Sequence, residues 1–211
     1  MHPHHIDENV LLDFHQGHLS QGQTLVMACH LQMCADCHAL IHLFDTIGAS
    51  YLEHGESLSL SEEALDLALA RIERPEPVET IAVLPAFLQG FKLPPRLSQA
   101  RIKPRYWAAP GVWMAPIDTD GVGKTYLMNV KRGMNMPLHD HRDTEMTLVL
   151  KGKIADYGGE FKPGDLCIRQ AGDHHSPSIG EDEDCLCLIS SSAAIIPKTL
   201  LGKCLQPFAR I

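Results

Sequence analysis

"GMNMPLHDHRDTEMTLVLKG", running from Gly133 to Gly152, decides how this chain is read. His139, His141 and Glu145 fall at positions of one parity, so on an extended strand all three side chains leave the same face. Two imidazoles and a carboxylate on one face form a donor set for a divalent metal, and in a small barrel that face turns inward. A fourth donor then has to come from a different strand. The flanking sequence agrees with strands: "KTYLMNV" (124–130), "EMTLVLKG" (145–152), "DLCIRQA" (165–171) and "DCLCLIS" (184–190) are short, rich in β-formers and separated by Gly, Asp and Pro turns. Residues 102–211 therefore read as an all-β sandwich or barrel.

Working back toward the N-terminus, the period changes. Residues 1–75 read as helices. Asp7 can cap a first helix carrying Val10, Leu11 and Phe14 that Gly17 ends, and Ser20 can start a second with Leu25, Val26 and Cys29 on one side. Leu40, Ile41, Leu43, Phe44, Ile47 and Tyr51 recur at spacings of three and four, the helical period of a buried face. In "SLSEEALDLALARIER" Ser59 and Glu62 form a capping box ahead of Ala64, Leu65, Ala68, Leu69 and Ile72, with the apolar face widened by Leu60 and Leu67. That width either packs within the domain or meets a partner. Prolines 75, 77, 85, 94 and 95 make residues 76–101 a Pro-containing linker with one short apolar helix around Phe87. "DTDGVGKT" (118–125) ends like a phosphate-binding loop, but Asp118 stands where its first glycine belongs and a strand pattern follows, so it reads as a β-turn.

"HLQMCADC" (30–37) carries a second donor cluster. His30, Cys34 and Cys37 are spaced i, i+4, i+7, which gives a stripe on one helix, or a knuckle at a helix end that feeds the next helix. Zinc takes four ligands, and this stretch supplies three. His38 and His42 are the local candidates for the fourth; His2, His4, His5, His15 and His18 are the distant ones. His38 is poorly placed, because neighbours on a helix point about 100° apart. A ligand from the N-terminal arm would staple a small domain together.

The composition sets limits on partners. The 211 residues carry a formal charge of −8 with 45% hydrophobic and 21% charged residues, and no dense Lys/Arg run, so direct nucleic-acid binding is not expected. Apolar runs such as "IAVLPAFL" (81–88) are too short to cross a bilayer, and "MHPHHIDE" lacks the basic start and apolar stretch of a signal peptide. A cytoplasmic protein without membrane contact is the expectation. The seven cysteines then read as ligands, core residues or redox sensors and not as a disulfide framework. Cys185 and Cys187 share a strand face and are either a sensing pair or buried structural thiols, while Cys167 and Cys204 suggest no role.

"HHIDENVLLDFHQGHL" followed by "LVMACHLQMCADC" resembles the N-terminal domain of the zinc-binding anti-sigma factors, marked by an early His and H-x3-C-x2-C. The stretch 133–152 together with "EFKPGDLCIRQAGDHHSPS" (160–178) resembles the two cupin motifs, G-x5-H-x-H-x3-E-x6-G and a later Pro-Gly turn plus His. The whole chain is similar to the ChrR-type members, which join the two. That resemblance implies a small all-α zinc-binding domain followed by a double-stranded β-helix. It implies a structural zinc on His5, His30, Cys34 and Cys37, with His4 the rival of His5. It implies a cupin metal on His139, His141, Glu145 and His175, with His174 an alternative only if the strand register shifts. Zinc is expected at both sites, iron or manganese being compatible with the second. It further implies an extracytoplasmic-function sigma factor as partner, kept from core RNA polymerase, and an oxidative signal acting on the cupin. A metal-dependent cupin enzyme, dioxygenase or isomerase, with a helical appendage is the competing reading. A cupin that only binds a small ligand is a third.

Overall fold

The structure is a computed structural model, describing residues 6–72, 83–119 and 123–192 and the backbone of 196–197. Four helices come first: α1 (Glu8–His15), α2 (Gln21–Leu31), α3 (Ala35–His54) and α4 (Ala64–Ile72). The Asp7 carboxylate accepts the Asn9 N–H at 2.8 Å and caps α1, and Gly17 at φ 74° lets the chain leave it. Ser20 and Gln23 close a reciprocal capping box on α2. Two expectations change. α4 starts at Ala64, after a turn at 62–63, so Ser59 stands outside its first turn; none of its nine residues is buried, and a short helix with so little burial has little to extend it. The α3 stripe is half-buried at Leu40, Ile41 and Phe44 but opens to solvent at Leu43, Ile47 and Tyr51, the latter two lying beyond the His15–Asp45 contact that ties α1 to it.

Residues 83–102 lie against the helices instead of spanning open space. Short 3₁₀ turns at Ala86–Leu88, around the Phe87 expected to be helical, and at Pro95–Gln99 drive Leu88 and Leu97 into complete burial. The Phe87 ring meets Trp113 edge-on, and Arg105 lies over both.

The remainder is β: β1 (Tyr106–Ala109), β2 (Val112–Ile117), β3 (Lys124–Val130), β4 (His139–Asp140), β5 (Glu145–Lys151), β6 (Ile154–Asp156), β7 (Gly159–Phe161), β8 (Leu166–Arg169), β9 (His174–His175), β10 (Ser178–Ile179), β11 (Cys185–Ser191) and β12 (Ile196–Pro197). A six-stranded sheet ordered β1-β2-β3-β11-β5-β8 accompanies two three-stranded sheets, β10-β6-β7 and β12-β4-β9, with every pairing antiparallel. Lys124 opens β3, while residues 120–122, at the centre of the stretch read as a β-turn, lie outside the described residues.

Sheet alternation places two cores back to back. On β11 the odd residues Cys185, Cys187 and Ile189 join a cluster with Tyr126, Val149 and Phe161 inside the β domain. The even residues Leu186 and Leu188 join Leu127 and Leu148 on the outer face, against Val26, Met27 and Cys29 of α2. This explains why β11 is buried along its whole length. α2 comes close enough that a Cβ on Gly22 would lie 2.6 Å from Ser190 Oγ and nearer still to Thr125 Oγ1.

Candidate metal centres

The first donor cluster is a knuckle, not a stripe on one helix. His30 is in the last turn of α2, Cys34 caps α3 in extended conformation, and Cys37 lies in the first turn of α3. The sharp break between α2 and α3 brings their three donor atoms within 4.8 Å of one another. His30 and Cys37 are buried, Cys34 partly so. His30 Nδ1–H donates to the Gly164 carbonyl at 2.8 Å, which fixes the tautomer and leaves Nε2 for the cluster. That carbonyl belongs to the Pro163-Gly164-Asp165 turn of the β domain, so the cluster is oriented from both halves of the chain. Burial pushes the Cys37 thiol up to about 11, with the neighbouring Cys34 adding to the rise and an Ile6 backbone N–H opposing it. A divalent cation between the sulfurs would reverse that balance by favouring the thiolates. His5 and His4 lie outside the described residues.

The second cluster gathers His139 on β4, His141 just after it and His175 on β9. Register pairs His139 with His175 directly. Nε2 of His175 is 2.7 Å from Nε2 of His141 and 2.8 Å from Nε2 of His139. The Nδ1–H of His139 donates to the Pro137 carbonyl, and that of His175 to the Asp156 carboxylate, at 2.8 and 2.7 Å. Both rings thus carry their proton on Nδ1, and their Nε2 lone pairs face each other at a distance that only a shared proton or a cation makes favourable. Burial, reinforced by His139 and His175, lowers His141 to about 4, so the neutral, ligand-competent form prevails at neutral pH.

Glu145 sits differently from its sisters in the motif. The chain breaks between β4 and β5, so the uninterrupted strand assumed in the parity reading does not exist. The Glu145 carboxylate lies 3.7 Å from Nδ1 of His141, accepts from Thr147 at 3.2 Å and is not among the donor atoms within 4.8 Å of one another. Burial raises it to about 7. His174 points away from the cluster, toward Asp140 at 3.4 Å, as neighbours on a strand must.

Behind His175 stands a pair that the sequence did not disclose. Arg169 grips the Asp156 carboxylate at 2.7 and 3.2 Å and the Tyr157 carbonyl at 2.5 Å. Burial alone would raise Asp156, but its bonds from His175 and Arg169 outweigh that and hold it at about 2. A permanent carboxylate behind a ligand histidine orients the ring and strengthens it as a donor. Cys185 and Cys187 have their sulfurs 3.7 Å apart, and the thiol of Cys187 is pushed up by its bond to Cys185 and by burial. Burial lifts Cys167 to about 12. Cys187 and Cys167 are thus protonated, unactivated thiols.

An antiparallel β domain of three sheets with three convergent imidazoles is the arrangement of a cupin, here carrying a helical domain with a metal-type His/Cys knuckle. Residues 100–194 match the family described as the ChrR Cupin-like domain. The curated Anti-sigma-E factor ChrR of Cereibacter sphaeroides is 32% identical over 213 residues, spanning 99% of this chain and 98% of that one. The crystal structure of Rhodobacter sphaeroides SigE in complex with the anti-sigma ChrR is similar at a TM-score of 0.68, with 29% identity over 89% of this chain and 98% of that one. The chain belongs to the ChrR family of anti-sigma factors. That makes it a regulatory protein, and the helical domain is part of the match, not an appendage to an enzyme.

Proposed function

We propose that the chain holds an extracytoplasmic-function sigma factor in the cytoplasm, keeps it from core RNA polymerase, and releases it when the cupin receives an oxidative signal. One observation carries the reading. α3 and α4 expose Leu43, Ile47, Tyr51, Leu52, Leu65, Leu67, Leu69 and Ile72, with Tyr51 at 78% and Leu52 at 86%, and none of α4 is buried. Large apolar side chains left exposed in this number on two helices point to a protein-binding site. The relative seen with SigE supports a sigma factor as its occupant. The net charge of −8 suits a protein that grips a transcription factor and not DNA.

In this account residues 1–75 bind the sigma factor, 76–101 connect and 102–211 sense. His30, Cys34 and Cys37 hold a closed structural zinc with His5 as fourth ligand; the bond from Ile6 N–H to Cys37 brings the chain to the site one residue after His5. His139, His141 and His175 hold the cupin metal, with Glu145, whose carboxylate lies 3.7 Å from His141 Nδ1, moving in as the fourth donor when it binds, zinc before iron or manganese. When bound, that metal supplies a fixed positive charge at one end of the cupin interior. The protein's own residues do the rest: Pro137 and Asp156 orient the rings, and Met side chains offer oxidisable sulfur nearby. A signal acts only if its interaction differs between the bound and released states.

The test is capture of each extracytoplasmic-function sigma factor of the host by the full chain, with metal analysis. A one-to-one complex lost on replacing Leu43, Ile47 and Tyr51 by Asp supports the account. No complex with any of them, alongside oxidation of a small substrate by the metal-loaded chain, would establish the enzyme reading instead.

A further inference from the structure

The cupin interior encloses a cavity of about 380 Å³, within the range of small-molecule sites, which run from about 300 to 1,000 Å³. Its wall is apolar over most of its area and includes Met114, Met128, Met134, Met136, Ile154 and Phe161. Four methionines in one wall give a surface that repacks around flexible chains better than around one rigid shape. The imidazole and charged groups that line it are joined to one another at one end. His139 touches His175, His175 bonds Asp156, Asp156 pairs with Arg169, and Glu145 lies opposite Arg169 in the β5–β8 register.

We propose that this cavity binds a small amphiphile, an aliphatic chain with one terminal oxygen head, the chain lying among the methionines and the head at the histidine end. The geometry selects both parts. Away from the histidine end the wall offers few polar groups, Tyr126, Thr147 and Asn135 among them, too few for sugars, nucleotides and other polyhydroxylated ligands, whose remaining buried polar groups would go unsatisfied. A divalent cation held by the convergent imidazoles would accept an oxygen head as an added ligand and repel an ammonium, the Arg169 and Asp156 charges beside it offsetting each other. The inference names the ligand class for the domain read above as the sensor, and rests on that reading for its purpose but not for its measurement.

The experiment is calorimetric titration of the full zinc-loaded chain, in the absence of any sigma factor, with straight-chain carboxylates from hexanoate to hexadecanoate. 1-Alkanols and alkylammonium ions of matched length form the other arms. Affinity should rise about fourfold per methylene until the chain fills the cavity, and then level. Carboxylates or alkanols should exceed ammonium ions of equal length at least tenfold. Met136→Trp and, separately, Met134→Trp, both partly buried cavity-lining positions on the loop between β3 and β4, should move the levelling point to shorter chains; near-UV circular dichroism identifies a variant that has lost its fold, and the other then serves. No binding in any arm, affinity indifferent to chain length, or an unmoved levelling point in a folded variant overturns the inference. Failure to capture a sigma factor overturns the proposed function and leaves this result standing.

Discussion

Replacing Asp156 by Asn tests whether the cupin histidines are arranged for a metal. The carboxylate is 4% exposed, receives the Nδ1–H of His175 at 2.7 Å and is held by Arg169. Its displacement from 3.8 to about 2 corresponds to roughly 2 kcal/mol of interaction favouring the charged form, at about 1.4 kcal/mol per tenfold. The amide keeps an acceptor for His175 but removes the charge that stabilises it. Metal affinity at the cupin site should fall about 10–100-fold, while the His30 cluster keeps its metal. In metal-free protein the sign with pH follows from the lowered value. The charged form contributes stability above about pH 4, and that contribution is lost as pH falls toward 2. The wild-type advantage in urea should therefore be near 2 kcal/mol at pH 6 and narrow below pH 4. Chelator competition reads the first effect and denaturant curves the second. Unchanged cupin affinity, or a stability gap independent of pH, would refute the reasoning.

Three further outcomes follow from the same structure. Gly22→Leu should destabilise the chain by about 1–3 kcal/mol in a denaturant titration, because its side chain would meet Thr125 and Ser190 where α2 lies on the sheet. Tyr51→Asp with Leu52→Asp should change stability by no more than about 0.5 kcal/mol, both being exposed, yet abolish sigma-factor capture in a pull-down. Replacing Cys34 and Cys37 together by Ser should lower bound metal from about two to about one per chain by elemental analysis.

Local signals were legible wherever one residue's chemistry decides a conformation. Asp7, Ser20 and Gly17 set helix ends through a carboxylate, a hydroxyl and a positive φ, and each acts where the sequence placed it. The cupin histidines were legible because their spacing survives the fold, although the strand that was to carry Glu145 with them is broken. What depended on distant contacts was hidden. Nothing in "HLQMCADC" chooses between stripe and knuckle until the helix ends at Leu31. The exposure of α3 depends on what fails to pack against it. Asp156 and Arg169 meet across 13 residues from two different sheets, and no periodicity marks them. The Gly164 carbonyl, which orients a histidine 134 residues away, is a backbone atom carrying no sequence signal beyond its turn.

The most direct test of the anti-sigma account is a competition. Purified full-length chain is added in equimolar amount to the sigma factor it captures, and binding of that sigma factor to core RNA polymerase is followed by gel filtration. The account predicts that the sigma factor elutes with this chain and is absent from the core fraction. It also predicts that the Leu43, Ile47 and Tyr51 to Asp variant, with its metals retained, lets it return. Sigma factor that stays on core polymerase in the presence of excess wild-type chain would contradict it.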